Sequence, residues 1–482
     1  MPIFDTTPSK GSGGAQGGGT TYTAGNGIKI ENDVISVNLL SASDNATGIV
    51  DGKLYTPVNN LITVKPLIII QTNPVTPNAE VTFTFGEENI MKRTDEAGKA
   101  QTEVSRLGIW SITVNFGDRQ VTKNLAVNEP RIYEFEILKF NIFGVKWNRT
   151  STTRLDRTDG AANFVDPNPA LNNGTGSSPF DTIQPWAGMV RVEDKVAGTL
   201  VAIPKYYFKI TDTDSEFGIQ ISPEKIDGFM VSPAHMDRGD GQGERDVVYV
   251  GRYICNSAYT SKAKTSKQLN ISRSQARSEI HSKLGSEYWQ FDYATWWTIN
   301  MLYLVEFADW NSQKVIGYGS STNNTNGFTD EMKYHTGTDK EVRTSYGYVQ
   351  YRNIEGVWNN PLYWVDGINK YGGSFYVSIV QSQFNDFNNS SYKAIGSYPS
   401  SGYITSVKQS ENTETKWAIY PDKHGGDSDL YIPDYMGGSD PCICTGGWTE
   451  EQESGLFQYY TTSSGYSTSN YGCRLIKLPN KQ

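Results

Sequence analysis

The chain has 482 residues and a formal net charge of -9, with 20% charged and 37% hydrophobic residues and abundant Gly (47), Tyr (29) and Trp (11). That length suits about three domains, and the composition suits a loop-rich, mostly β protein with much exposed aromatic surface. The negative charge and the lack of any basic stripe argue against a polyanion partner, so no nucleic acid binding is expected.

In chain order, residues 1–19 form a Gly/Ser tract that buries nothing and reads as a tether. The start, MPIFDTTPSKGSGG, has neither a basic nor an apolar signal-peptide region, so folding in a cytoplasm is expected. The longest apolar run, Leu67 to Ile70, is far too short to span a bilayer, and no membrane insertion is expected. In residues 20–61, Ile28 and Ile30 share one face of a short strand, a turn falls at Glu31-Asn32-Asp33, and Val34 to Val37 resume. Two such strands cannot bury their faces alone, so intertwining of several chains is the natural solution.

Residues 62–130 alternate at strand period: Val81, Phe83 and Phe85 in one run, Trp110, Ile112, Val114 and Phe116 in another. A small β-sandwich is expected, ending at Glu129-Pro130 because proline cannot continue a central ladder. From 131 to 482 one α+β domain is expected, with strands in EFEILKFNIFGV, MVRVED, KYYFKI and VVYVGRYI. Ser272 with Gln275 marks a capping box ahead of one helix. Trp289, Tyr293, Trp296, Leu304 and Phe307 make an apolar stripe at helical spacing on a second, more readily core than cofactor box. No repeat of solenoid or propeller period exists, which counts against a parallel β-helix.

Residues 448–471 hold a single aliphatic side chain, Leu456, and no lysine or arginine, between Gly446-Gly447 and Gly472. Stiff amphipathic Tyr and Trp beside adaptable Ser, Thr and Asn is the composition of a recognition surface. An exposed loop of a β-rich protein is the plainer alternative. Glu450, Glu451 and Glu453 there have no nucleophile, base or metal-ligand partner at workable spacing.

The segment 20–61 resembles the N-terminal β-prism of phage tail-fibre and tropism-determinant proteins, which implies a homotrimer. Residues 62–130 look like bacterial Ig-like spacer modules. Asn353, Glu355, Gly356, Val357, Trp358, Trp364 and Asp366, followed by Gly446, Gly447, Trp448 and by Gly472, Arg474, Leu475, resemble the C-type lectin fold in its formylglycine-generating-enzyme (FGE-sulfatase-like) variant. Among such proteins the chain is similar to phage receptor-binding proteins of the retroelement-diversified tropism-determinant kind. The resemblance implies a virion component, in tail or capsid fibre, assembled in the host cytoplasm. It would join other virion proteins through its N-terminus and attach the particle to a host bacterial surface receptor, glycan or protein. It further implies variable, solvent-facing contact positions at Tyr431, Asp434, Tyr435, Ser439, Asp440, Thr449, Glu450, Gln452, Glu453, Gln458, Tyr459, Tyr460, Thr462 and Tyr466, with Trp448 half core and half contact. Tyr459 and Tyr460 are the expected hot spots.

The family's oxidases hold copper with a cysteine pair at C-x4-C spacing, whereas this chain has Cys442-x-Cys444, Cys255 and Cys473. That departure removes the catalytic inference, so no enzyme activity, catalytic residue, cofactor or metal is expected. The loop with Asp237, Asp240, Glu244 and Asp246 lacks EF-hand spacing and reads as a glycine turn with Arg238 and Arg245 pairing its acids, rather than a calcium site. The four histidines stand singly and read as structural or surface residues. The alternatives are a structural virion or head-fibre decoration without a specific receptor, and, behind it, an FGE-like or glycan-degrading enzyme.

Overall fold

The computed structural model describes residues 28–31, 34–38, 46–50, 53–55, 65–149, 152–319, 324–358, 361–426, 432–438, 441–447 and 454–481. The chain divides into two compact units, residues 1–139 and 140–482. Among the described residues no helix is long and apolar enough to cross a membrane.

Within the first unit the two strands expected near residue 30, Ile28–Glu31 and Val34–Asn38, form, and two more, Ala46–Val50 and Lys53–Tyr55, extend them into a four-stranded antiparallel meander. The tether, residues 1–19, lies outside the described residues.

Residues 65–139 make two sheets around one core. One runs Gln120–Val127, Gly108–Asn115, Glu80–Phe85, Glu88–Arg93, and the other Ile132–Leu138, Leu67–Asn73, Lys99–Glu103. The period-2 residues fill the space between them: Ile68, Ile70, Val81, Phe83, Trp110, Ile112 and Val114 are fully buried. The boundary expected at residue 130 is corrected by Ile132–Leu138, which pairs in parallel with Leu67–Asn73 from Ile132 opposite Leu67 to Leu138 opposite Asn73. The strand before it ends at Val127, and past Pro130 the chain crosses to the other sheet instead of leaving the sandwich. Tyr133 fixes the crossing: its hydroxyl accepts the Asn128 and Glu129 N–H groups at 3.0 and 3.1 Å and donates to the Glu129 carbonyl at 3.0 Å. The run EFEILKFNIFGV is therefore two strands in two units, Ile132–Leu138 and Phe143–Trp147.

The second unit packs its sheets around helix α2 (Tyr293–Phe307), whose fifteen residues are all buried. A helix apolar on every side belongs at the centre of a large core, so the expected stripe widens to the whole circumference. Asp292 caps it, accepting the Thr295 N–H at 2.9 Å. Trp289 falls outside the helix on the strand Tyr288–Gln290, its ring 4.2 Å from that of His281. Helix α1 (Arg273–Leu284) begins where expected, with the Ser272 hydroxyl accepting the Gln275 N–H at 3.3 Å.

Arg474 closes the unit. Fully buried on the C-terminal run, its guanidinium donates to the carbonyls of Gly251, Arg252, Glu355 and Gly356 at 2.6 to 3.1 Å. The neighbouring strand Leu475–Lys477 sits inside a five-stranded sheet, between Val247–Gly251 and Tyr288–Gln290. A nine-stranded sheet holds Leu362–Tyr371, Cys442–Thr445, Tyr459–Thr462 and Ile432–Gly438 side by side in that order. Trp358 and Trp364 are fully buried and donate their indole N–H groups to the Gly317 and Ile271 carbonyls at 3.0 and 2.7 Å.

Candidate functional site

The strand Tyr459–Thr462 lies in the interior of the nine-stranded sheet, parallel to Ile432–Gly438 and antiparallel to Cys442–Thr445. Met436 stands opposite Tyr459, and Cys444 opposite Tyr460. This register brings the chain out at Gly447, back at Ser454 and into Ile432 at one common end of the three strands. The strand ends leading into residues 439–440 lie at the other end.

Both sides of that common end are held by buried polar groups. The Gln458 Oε1 accepts the Gly447 N–H at 2.6 Å, while its Nε2 donates to the Ser454 hydroxyl at 3.1 Å. Asp434 accepts the N–H groups of Gly455 and Phe457, both at 2.7 Å. Ser312 Oγ accepts the Leu456 N–H at 3.0 Å, and Trp296 of α2 donates to the Leu456 carbonyl at 3.0 Å. A Cβ at Gly447 would collide with the Ser454 hydroxyl and the Gln458 amide, so the clamp requires glycine there. Burial pushes the Asp434 carboxyl up to about 7, against the downward pull of its two backbone donors.

Four expected contact positions are corrected by this geometry. Asp434 and Gln458 are buried and spent on the clamp. Tyr459 is 1% exposed because strand alternation turns it toward α2, where its hydroxyl accepts the Trp297 indole N–H at 3.0 Å and lies 3.3 Å from the Tyr293 hydroxyl. Thr462 is buried in the same interior strand. Tyr460 points to the opposite face and is half-buried against the cluster of Trp364, Tyr471 and the cysteines.

Tyr466 is 45% exposed, with its ring 5.3 Å from that of Tyr471, which in turn stacks 4.9 Å from Trp364. A surface ring is thus braced through two others to the core. Tyr435 is half-buried, its ring 5.6 Å from Tyr403. Tyr431, Ser439, Asp440, Trp448, Thr449, Glu450, Gln452 and Glu453 lie outside the described residues.

All four cysteines are buried and reduced, and they share one apolar cluster with Trp364 and Tyr471. Burial pushes the Cys442 thiol up to about 12 and Cys444 well above the usual thiol range, and a hydrogen bond with Cys255 raises Cys473. Cys442, Cys444 and Cys473 are neutral thiols, unlike the low-pKa thiolates that act as nucleophiles. Among the described residues no three His, Cys, Asp or Glu side chains gather to hold a metal ion. In the glycine turn Asp237 accepts the Gly239 and Gly243 N–H groups at 2.8 and 2.9 Å, and Arg245 pairs with Asp240. Arg238 leaves this turn and meets Asp292 at 2.5 Å, both side chains fully buried.

One polar cluster went unread in the sequence. Glu306 on α2 accepts from Ser178 Oγ at 2.8 Å, Tyr351 Oη at 3.1 Å and Arg352 Nε at 2.9 Å. Arg352 also reaches Asp181, which meets His335 Nε2 at 2.9 Å and Tyr334 Oη at 2.8 Å. Burial lowers the His335 pKa and keeps the ring neutral at physiological pH. The signal was available: Glu306 is the lone charge in an otherwise uncharged helix, YATWWTINMLYLVEF. Burial is affordable there because Arg352 neutralises it, which makes the cluster a cross-link.

Fold and site together define a mostly β protein of two units, the second α+β with one strand end firmly clamped. No family model matches the chain. No curated protein matches it. Among solved structures it is similar to a major tropism determinant P3c variant at 10% sequence identity, over 93% of each chain, with a TM-score of 0.21.

Proposed function

We propose that the chain is a phage virion receptor-binding protein that attaches the particle to the host bacterial surface through the end of the second unit carrying residues 448–453. The observation that supports this reading is the clamp at Gly447 and Ser454, where Gln458 bonds both flanks of the segment. Buried polar anchors at both flanks let the five residues after Trp448 change without cost to the core, as a recognition site on a rigid scaffold requires. That segment reads WTEEQE: one large ring, three carboxylates and two adaptable polar groups.

On this reading Tyr431, Trp448, Thr449, Glu450, Gln452, Glu453 and Tyr466 touch the receptor, with Tyr435 and Tyr460 at the rim. Asp434, Gln458, Tyr459 and Thr462 hold the platform. The lectin-fold resemblance of residues 353–366, 446–448 and 472–475 supports the same assignment. Residues 20–61 would join three chains, and residues 1–19 would tether them to the virion. The protein works without turnover or cofactor.

The test is binding of fluorescently labelled full-length chain to cells of the bacterium the parent virus infects. Glu450→Ala should reduce cell binding at least tenfold with unchanged thermal melting, while Trp448→Ala should lower both binding and melting. Full binding by both variants would move the receptor site elsewhere and favour a structural fibre.

A further inference from the structure

Away from the clamp, the second unit brings two cysteines from distant parts of the chain into contact. Cys255 follows the strand Val247–Gly251, and Cys473 precedes the strand Leu475–Lys477. The Cys255 N–H donates to the Cys473 carbonyl at 2.8 Å, and the two thiols are hydrogen-bonded to each other, both residues fully buried. A backbone bond of that length keeps the two Cα atoms within about 7 Å, the reach of a disulfide. Cys442 and Cys444 differ. Two apart on one strand, they cannot easily close on each other, and the Cys444 thiol is bonded to the Tyr460 carbonyl at 3.4 Å.

A short turn lies against the pair. The Asn256 Oδ1 accepts the Ala258 N–H, the Thr260 N–H and the Thr260 hydroxyl, each at 3.0 Å, and so ties a tight turn over residues 256–260 whose Ser257 and Ala258 are exposed. Tyr259 within it is buried in the same apolar cluster as the cysteines. Burial, with Cys473, Glu279 and Cys255 behind it, pushes the Tyr259 phenol up to about 12. The ring thus sits beside both sulfurs at the foot of an exposed turn. Tyr259 also holds φ at 61°, a left-handed conformation costly to a bulky side chain, so the cover is the strained part of this region.

We infer that Cys255 and Cys473 are a latent disulfide, which closes when the protein passes from a reducing to an oxidising medium. The oxidant is a small disulfide, R–S–S–R. When the turn lifts, one protein sulfur attacks it and releases R–SH, and the second protein sulfur then displaces the other R–SH, leaving a bond between Cys255 Sγ and Cys473 Sγ. Two protein thiols are oxidised, one small disulfide is reduced, and both thiol protons end on the released R–SH molecules. Buried, protonated thiols are poor nucleophiles, so the exchange is slow and confined to the moments when the turn is open. Once formed, the bond ties the chain beyond Val247–Gly251 to the residue before Arg474, and the long loop it closes restricts the unfolded chain, which raises stability. The pair makes no use of residues 448–453 and acts whether or not those residues bind a receptor.

The experiment is thiol counting by mass spectrometry on the full chain, purified reduced, incubated in its native state with excess oxidised glutathione, then unfolded and alkylated. Two of the four thiols should disappear together, and peptide mapping should recover Cys255 linked to Cys473 with Cys442 and Cys444 alkylated. The oxidised chain should melt several degrees above the reduced one, and Cys473→Ser should form no internal link. Tyr259→Ala should oxidise about tenfold faster, because the cover over the sulfurs is gone. The inference is overturned if all four thiols survive prolonged incubation, if the link involves Cys442 or Cys444, or if glutathione stays attached at Cys255 or Cys473. It is equally overturned if the linked chain melts no higher than the reduced one, or if Tyr259→Ala oxidises no faster than the unmodified chain.

Discussion

Gln458 accepts the Gly447 N–H at 2.6 Å across eleven residues of sequence, and the same amide reaches Ser454 at 3.1 Å. One buried side chain thus sets where the chain leaves the sheet and where it returns. Gln458→Ala would leave the Gly447 N–H buried without a partner, costing about 1–3 kcal/mol. Thermal melting should fall accordingly, and amide hydrogen exchange at Gly447 should quicken.

Asp434 gives that clamp a pH dependence. Its carboxyl is raised from 3.8 to about 7 by burial. A raised folded-state value means that the native state holds the proton more tightly than the unfolded chain. Its contribution is fully present below about pH 4 and is lost as pH rises through about 7. Comparing unfolding free energies of the unmodified chain and Asp434→Asn from pH 4 to 8 should show the unmodified chain losing the larger amount as pH rises. Parallel curves would mean that Asp434 does not carry this proton.

Tyr459 and Tyr466 should part company. Tyr459→Phe removes the acceptor of the Trp297 indole N–H and should cost about 1–3 kcal/mol of stability, and Tyr459→Ala about 3–5 kcal/mol. Tyr466→Ala, at a 45% exposed position, should change stability by no more than about 0.5 kcal/mol while reducing cell binding. Calorimetry on both variants beside the cell-binding assay separates platform from contact.

The proposed joining of three chains by residues 20–61 sets an expected oligomeric state. Light scattering should give a trimer for the full chain and a monomer for a truncation beginning at Lys65, which keeps the Leu67–Asn73 strand and its partner Ile132–Leu138. A monomeric full chain would contradict the trimer.

What the sequence made legible was local. Trp110, Ile112 and Val114 announce a strand because burial on one face imposes period two, and Ser272 announces α1 because its hydroxyl needs only the N–H three residues on. The burial of Tyr459 was not legible, since tyrosine suits core and surface alike and the choice depends on Trp297, 162 residues away. Asp434 and Gln458 looked like surface residues for the same reason: their partners are backbone groups brought close by sheet pairing. Glu129-Pro130 was read as the end of the sandwich, and the parallel pairing of Ile132–Leu138 with a strand some sixty-five residues earlier, which carries the sandwich past it, has no local mark.

The most direct measurement replaces residues 449–453 as a block. With TEEQE exchanged for SGSGS and Gly447, Trp448, Ser454 and Gln458 kept, the account predicts unchanged melting, because the clamp is intact, together with loss of binding to host cells. Retained cell binding at full affinity by a folded exchange variant would contradict it.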